Sequence, residues 1–104
     1  MNNTCLLVPV YDHPDCLAEL VRGLETTGLH CLLVNDGSAV RCSQIMRDIA
    51  QDHSWISLLE RENNGGKGAA VKSGMFEASR MGYTHVLQVD ADGQHDISHC
   101  QKLI

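Results

Sequence analysis

Thr4–Val10 reads TCLLVPV, an uninterrupted apolar run of strand length. The segment after it, Cys16–Thr27, changes to helical spacing and places leucine and valine side chains on one stripe. A strand that is apolar throughout is typical of a parallel sheet covered by helices on both faces, since neither side of such a strand meets water. The start of the chain therefore predicts one strand-helix unit of an α/β protein.

The same unit recurs along the chain. Further strands are predicted at His30–Val34, Trp55–Leu59 and Thr84–Val89. Further helices are predicted at Ser43–Asp52, Lys67–Met81 and, as the start of a last helix, Ile97–Ile104. This alternation predicts a Rossmann-like, three-layer α/β/α fold with a mainly parallel four-stranded sheet and right-handed crossovers.

The bulk properties favour one acidic, intracellular domain. A length of 104 residues suits a single domain over residues 1–104, and a net charge of −5 argues against nucleic-acid or membrane-surface binding. Five cysteines without a CxxC pair predict neither a disulfide framework nor a zinc ribbon, and they fit a reducing cytosol. Because no basic leader and no long apolar run occurs, we expect neither a signal peptide nor a membrane span, and a cytoplasmic location.

Polar residues follow every predicted strand. These segments are Tyr11-Asp12, Asn35–Ser38, Arg61–Lys67 and Asp90–His95. In open α/β sheets, ligands bind beyond the carboxyl ends of the strands, at the point where the strand order reverses. The sequence therefore predicts the functional site at this edge.

Asp90-Ala91-Asp92 closes the fourth strand with two carboxylates. Residues two apart in an extended segment point to the same side, and like charges there repel unless a cation lies between them. Mg²⁺ or Mn²⁺ with a bound diphosphate would complete such a site. The alternative is an acidic turn in which one of these aspartates caps the next helix.

The segments after the second and third strands allow two interpretations each. Asn35–Ser38 contains turn formers, and Asp36 is either part of a tight turn or an acceptor for a nucleobase or ribose. Asn63–Gly68 combines glycines and Lys67 before a helix, which favours either a flexible entry to the helix or contact with a diphosphate. A Walker A loop is excluded, because Arg61 replaces its first glycine and Gly68 replaces its serine or threonine.

Together these segments resemble glycosyltransferase family 2, the inverting nucleotide-sugar transferases of the A-type fold. The matching segments are Val8–Asp12 (VPVYD), Val34–Ser38 (VNDGS), Asn64–Ala70 (NGGKGAA) and Val89–His95 (VDADGQH), in the family's order. The motifs GKGAA and DADGQH resemble those of the branch that makes polyisoprenyl-phosphate sugars. The resemblance covers about the first half of a family catalytic domain, so we expect a nucleotide-sugar-binding half without the acceptor-binding half.

The resemblance implies a role for each matching residue. Pro9 and Tyr11 would line the nucleobase pocket, with Asp12 beside them where the family usually has asparagine. Asp36 would accept a hydrogen bond from the base. The remaining expected contacts are base, ribose or diphosphate for Lys67 and Gly68, ribose or metal for Asp90, metal for Asp92, and metal or sugar for Gln94.

The resemblance also implies the ligands. The donor would be a nucleoside-diphosphate sugar held through Mg²⁺ or Mn²⁺, and the acceptor of this branch is a polyprenyl phosphate, which suggests the cytoplasmic face of a membrane for a full-length protein. The catalytic base would lie beyond residue 104. A sheet that ends at its fourth strand would expose an apolar edge, which predicts a homodimer or aggregation through that edge.

Two other functions fit parts of the pattern. A Mg²⁺-binding receiver-like regulatory domain needs an acceptor aspartate at its third strand, where Leu58–Arg61 supplies none. A sugar nucleotidyltransferase-like domain carries its phosphate loop after the first strand, where this chain has Tyr11–Pro14.

Overall fold

The computed structural model describes residues 3–12, 15, 17–90 and 97–102. In these residues, three helices alternate with five strands. The elements are β1 (Thr4–Val10), α1 (Leu17–Glu25), β2 (His30–Asp36), α2 (Val40–Asp52), β3 (Ile56–Arg61), α3 (Lys67–Arg80), β4 (His85–Val89) and β5 (Ile97–Lys102). The predicted α/β fold is confirmed.

The strands form one sheet in the order β3-β2-β1-β4-β5. The four predicted strands run parallel to one another. The chain passes outward from β1 through β2 to β3, then returns through α3 to place β4 on the other side of β1. The strand order therefore reverses beside β1, and in sheets of this kind ligands bind at that point.

The prediction of a helix at the end of the chain is wrong. Residues 97–102 form β5 rather than a helix, and β5 pairs antiparallel with β4. The backbone N–H and C=O groups along the outer edge of β4 need partners, and pairing with a returning strand supplies them. The same pairing covers the β4 edge through which a dimer was predicted.

Alternating side chains along the central strands separate two cores. Leu6, Val8 and Val10 of β1 pack with α1 and α2, whereas Cys5 and Leu7 face α3. These five side chains are at most 1% exposed, so β1 is buried on both faces. The uninterrupted apolar run of the sequence thus reflects helices on both sides of one parallel sheet.

Three element boundaries differ from the sequence-based ones in ways that matter for the site. β2 continues through Asp36 and β3 through Arg61, so both charged residues belong to the sheet instead of the loops. α2 begins at Val40, immediately after the turn that follows β2. In the described part of the chain, no helix is both long and apolar enough to cross a membrane.

Candidate functional site

The sheet opens between β1 and β4 at its carboxyl edge. β1 pairs with β4 from Thr4 to Leu7, whereas its pairing with β2 continues through Val10. Pro9 lies in the part of β1 that has separated from β4, so its missing N–H leaves no gap in that ladder. The two strands separate at the point where the strand order reverses, and sheets of this kind bind ligands there.

Asp36 lies at the centre of a hydrogen-bonded cluster beside this opening. Its side chain is 3% exposed, and its Oδ1 accepts hydrogen bonds from Arg61 Nη1 at 3.0 Å and from the Gly65 amide at 3.1 Å. The Gly66 amide donates to Oδ2 at 3.0 Å. A buried carboxylate requires such donors, since an unpaired charge is costly to bury. Asp36 therefore fixes the path of the loop that contains Gly65 and Gly66, between β3 and α3.

Strand register brings the two charged partners together. Asp36 and Arg61 occupy opposite positions in the β2–β3 ladder, so the ion pair follows from parallel pairing. Gly37, next in the chain, has φ +72°, and a Cβ there would lie 2.7 Å from the carbonyl carbon of Asn63. The turn after β2 thus packs directly on the backbone of the loop between β3 and α3, and no side chain fits between them.

Lys67 and Asp90 form the second charged contact at this edge. Lys67 is the first residue of α3, and its Nζ lies 2.5 Å from Oδ1 of Asp90, which follows β4. The lysine side chain is 57% exposed and the aspartate side chain 25% exposed. Since Gly66 contacts Asp36 and Lys67 contacts Asp90, two consecutive residues connect the tips of β2 and β4.

Asp12 connects the β1 tip to the start of α2. Its amide donates to Ser38 Oγ at 3.0 Å, and its Oδ1 accepts from the Ala39 amide at 2.7 Å, just before the helix. A negative charge is favourable at a helix N-terminus. Tyr11, the predicted base-stacking residue, is 45% exposed beside it and presents a large aromatic surface to solvent.

The turn after β2 is held by side chains as well as by Asp36. Asn35 Oδ1 accepts from the Ser38 amide at 3.0 Å, and its Nδ2 donates to Ser43 Oγ at 2.8 Å. The turn interpretation of Asn35–Ser38 is thus correct for Asn35. Asp36 instead accepts a hydrogen bond from Gly66, just before α3. The side chains of these two adjacent β2 residues therefore lie on opposite faces of the sheet.

The structure places several of the predicted site residues at one sheet edge. Pro9 lies one residue before the end of β1, Tyr11 and Asp12 follow that strand, and Asp36 ends β2. Lys67 pairs with Asp90 directly after β4. Gly68 lies exposed in the first turn of α3. Asp92 and Gln94 lie outside the described residues.

Arg61 is the site residue that the sequence analysis missed. It was assigned to a loop, although it ends β3 opposite Asp36. The available signal was chemical: an aspartate just after an apolar strand needs a cationic or N–H partner, and an arginine lies two residues after the next predicted strand.

The residues available to a divalent cation are oxygen donors of the kind that Mg²⁺ and Mn²⁺ prefer. Among the described residues, no group of three or more histidine, cysteine, aspartate or glutamate side chains is close enough to hold a metal ion. Asp90 supplies one carboxylate at the opening. This carboxylate has the chemistry that the predicted site requires, and the second predicted ligand, Asp92, lies outside the described residues.

The sheet order and the polar residues at its reversal point are those of a doubly wound α/β ligand-binding domain. Residues 5–104 match Glycosyl transferase family 2, and the chain belongs to this family. It is similar to a dolichyl-phosphate beta-glucosyltransferase of Trichomonas vaginalis, with 35% identity over 88% of this chain and 31% of the relative. It also resembles a polyprenol monophosphomannose synthase of Mycolicibacterium smegmatis, with 27% identity over 97% and 39% of the two chains.

A solved structure shares the fold. The mannosyltransferase PcManGT of Pyrobaculum calidifontis, in complex with GDP-Man and Mn²⁺, superposes with a TM-score of 0.74 and 21% identity, over 86% of this chain and 27% of the other. The predicted A-type glycosyltransferase fold is confirmed. The chain spans between a quarter and two fifths of the length of these three proteins.

Proposed function

We propose that residues 1–104 are the nucleotide-sugar-binding part of an inverting glycosyltransferase. The observation that carries the proposal is the connection of Asp36 and Asp90 through Gly66 and Lys67 at the opening between β1 and β4. Membership of family 2 supports the transferase class. The names of the relatives from Trichomonas vaginalis and Mycolicibacterium smegmatis support a polyisoprenyl phosphate as acceptor.

In this proposal each residue at the opening has a role. Tyr11 stacks on the nucleobase beside Pro9 and Asp12, and Asp36 accepts a hydrogen bond from the base. Lys67 and the start of α3 at Gly68 face the diphosphate, because a cation and a helix N-terminus both favour anions. Asp90 and Asp92 hold Mg²⁺ or Mn²⁺ near the diphosphate, and Gln94 lies near the metal or the sugar.

The reaction is a single displacement. An oxygen of the acceptor bonds to the anomeric carbon, and the bond from that carbon to the diphosphate breaks with both electrons going to the leaving group. Lys67 contributes positive charge where this negative charge develops. A bound divalent cation would supply further stabilisation of the leaving diphosphate.

The acceptor site, and the base that takes the acceptor's proton, are proposed to belong to the part of the relatives' length that this chain does not span. For the full-length protein we propose a position at the cytoplasmic face of a membrane, where a lipid phosphate is within reach. The 104 residues alone are then expected to bind nucleotide with little or no transfer.

The test is calorimetric titration of the folded chain with UDP and GDP, with and without Mn²⁺. We expect binding of at least one nucleotide that strengthens with Mn²⁺. Lys67→Ala should weaken it about tenfold, because a charge-assisted contact is lost.

Lys72→Ala is the matched control. Lys72 lies on the same helix and is exposed, but it lines a groove with Leu59 and Phe76, away from Asp90. Its loss should change the affinity less than about twofold, as expected for a screened surface charge. Absence of binding to both nucleotides in a folded sample would refute the proposal.

A further inference from the structure

The outer surface of α3 carries a large aromatic side chain. Ala70, Gly74 and Ala78 of this helix are buried against the sheet, so the 3.6-residue period turns Phe76 toward solvent. Phe76 is 76% exposed. Keeping an aromatic ring in water is unfavourable, and aromatic side chains are enriched where proteins bind one another. Phe76 is therefore a candidate anchor for a protein contact.

An open groove of about 460 Å³ lies beside Phe76, between α3 and the edge strand β3. Leu59 lines it on the β3 side, and Ala69 and Ser73 line it on the α3 side. Ala69 and Ser73 are small, so the wall that α3 provides leaves space for a side chain from outside. The surface thus combines a projecting ring with an adjacent recess.

A projecting group beside a recess suits contact with a second copy of the same chain. In a two-fold-symmetric pair, both copies present the same surface, so each contact between two residues is made twice. A two-fold axis between Phe76 and the groove places the ring of each copy in the groove of the other. The surface is in this sense complementary to itself.

The charges on α3 favour the same partner. Lys72 and Glu77 are five positions apart, or about 140° around the helix axis, and Phe76 lies between them on the outer surface. Within the residues that the structure describes, Lys72 has no carboxylate at ion-pair distance. Each carboxylate oxygen of Glu77 accepts one hydrogen bond from Arg80 and can accept another.

Two copies of α3 that cross at Phe76 bring these charges together. The Lys72 side of each helix then meets the Glu77 side of the other helix, so two ion pairs form around the aromatic contact. Opposite charges at the border of an interface favour the correct partner and orientation. Charge and shape therefore both point to a second copy.

We propose that the chain forms a two-fold-symmetric homodimer through α3 and the groove beside it, with Lys72 of each copy facing Glu77 of the other. This surface replaces the β4 edge, which β5 covers, as the route to the homodimer predicted from the sequence. One aromatic anchor and two ion pairs suit a weak, reversible dimer rather than an obligate one. The dimer does not depend on nucleotide binding.

Sedimentation equilibrium of the chain, over a concentration series up to about 1 mM, measures this association. We expect a monomer–dimer equilibrium. Phe76→Ser should weaken it at least tenfold, because aromatic anchors contribute most of the binding energy of an interface. Val40→Ser is the matched control, since Val40 is 83% exposed at the start of α2, on the other face of the sheet, and its loss should leave the equilibrium unchanged.

Charge reversal tests the partner and the symmetry together. Lys72→Glu alone, or Glu77→Lys alone, places like charges opposite each other twice, so each variant should dimerise at least severalfold more weakly than the unaltered chain. A one-to-one mixture of the two variants restores opposite charges at both contacts. The mixture should therefore form a mixed dimer about as tightly as the unaltered chain dimerises.

Three outcomes would overturn the proposal. These are a monomer throughout the concentration series, a dimer that Phe76→Ser leaves unchanged, and a mixture of the charge variants that associates no better than either variant alone. Circular dichroism checks that each variant is folded. Should a charge variant fail to fold, the comparison of Phe76→Ser with Val40→Ser decides the question.

Discussion

Asp12 shows how one residue at the sheet edge combines a backbone requirement with a side-chain contact. Its φ of 50° lies in the left-handed region, which aspartate and asparagine tolerate better than most residues. Its carboxylate also accepts the Ala39 amide before α2. The family's usual asparagine meets both requirements, so the departure at this position preserves the local geometry.

Replacement of Asp12 tests this account. Asp12→Ala should lower the free energy of unfolding by about 1–2 kcal/mol, because it loses a capping acceptor and places alanine in the left-handed region, which aspartate tolerates better. Asp12→Asn should cost less than about 1 kcal/mol, since it loses only the favourable charge at the helix N-terminus. Urea-induced unfolding measures both, and equal losses for the two variants would contradict the acceptor role.

At the scale of the element, α3 lies very close to the sheet through Gly74. This glycine is buried, and a Cβ added to it would overlap Leu7 Cδ1 and lie 2.9 Å from Val34 Cγ2. The close approach fixes the depth at which α3 crosses β1 and β2. It thereby sets where Lys67, at the start of the same helix, meets Asp90.

Gly74→Ala should therefore destabilise the protein by about 1–2 kcal/mol, because overpacking of the core outweighs the better helix propensity of alanine. Gly23→Ala is the control: Gly23 is exposed in α1, and nothing lies within 4 Å of the added Cβ. That variant should be neutral or more stable by up to about 1 kcal/mol. Equal stability of the two variants in urea unfolding would show that α3 has room at Gly74.

For the whole molecule, the buried titratable groups set a pH range of maximal stability. Burial raises the pKa of the Cys5 thiol to about 11 and raises the pKa of Cys31 as well. Burial lowers the pKa of His30, whose ring stacks on Tyr83 with centroids 6.0 Å apart. Cys5, His30 and Cys31 lie in the first two residues of β1 and β2, at the opposite end of the strands from the candidate site.

The sign of each shift gives the direction of the pH dependence. Above pH 9 the unfolded chain ionises its thiols before the folded protein does, so stability should fall by up to about 1.4 kcal/mol per pH unit for each thiol. Below the ordinary histidine pKa of 6.5, the unfolded chain binds a proton at His30 before the folded protein does, so stability falls again. Unfolding in urea between pH 5 and 11 measures the loss of stability in both directions.

Cysteine variants identify the groups that cause the loss of stability above pH 9. Cys5→Ala and Cys31→Ala together should flatten the loss above pH 9, whatever their cost at neutral pH. If the free energy of unfolding of the double variant falls with the same slope above pH 9, other groups cause the loss.

The sequence by itself determined the four parallel strands, the three helices between them and the sheet edge at which the candidate site lies. It could do so because burial on both faces requires apolar strands, and helices with one buried face require a 3.6-residue period. Four separate segments in the family's order also identified the family. None of these inferences depended on knowing which residues touch.

The tertiary structure alone decided the contacts. β5 replaced the expected helix because the β4 edge needed backbone partners, and local spacing does not report that need. Arg61 pairs with Asp36 because β2 and β3 align in one particular register. The hydrophobic pattern of two such strands does not specify which residues stand opposite each other. The hydrogen bonds that Asp36 accepts from Arg61, Gly65 and Gly66 are therefore a property of the folded chain.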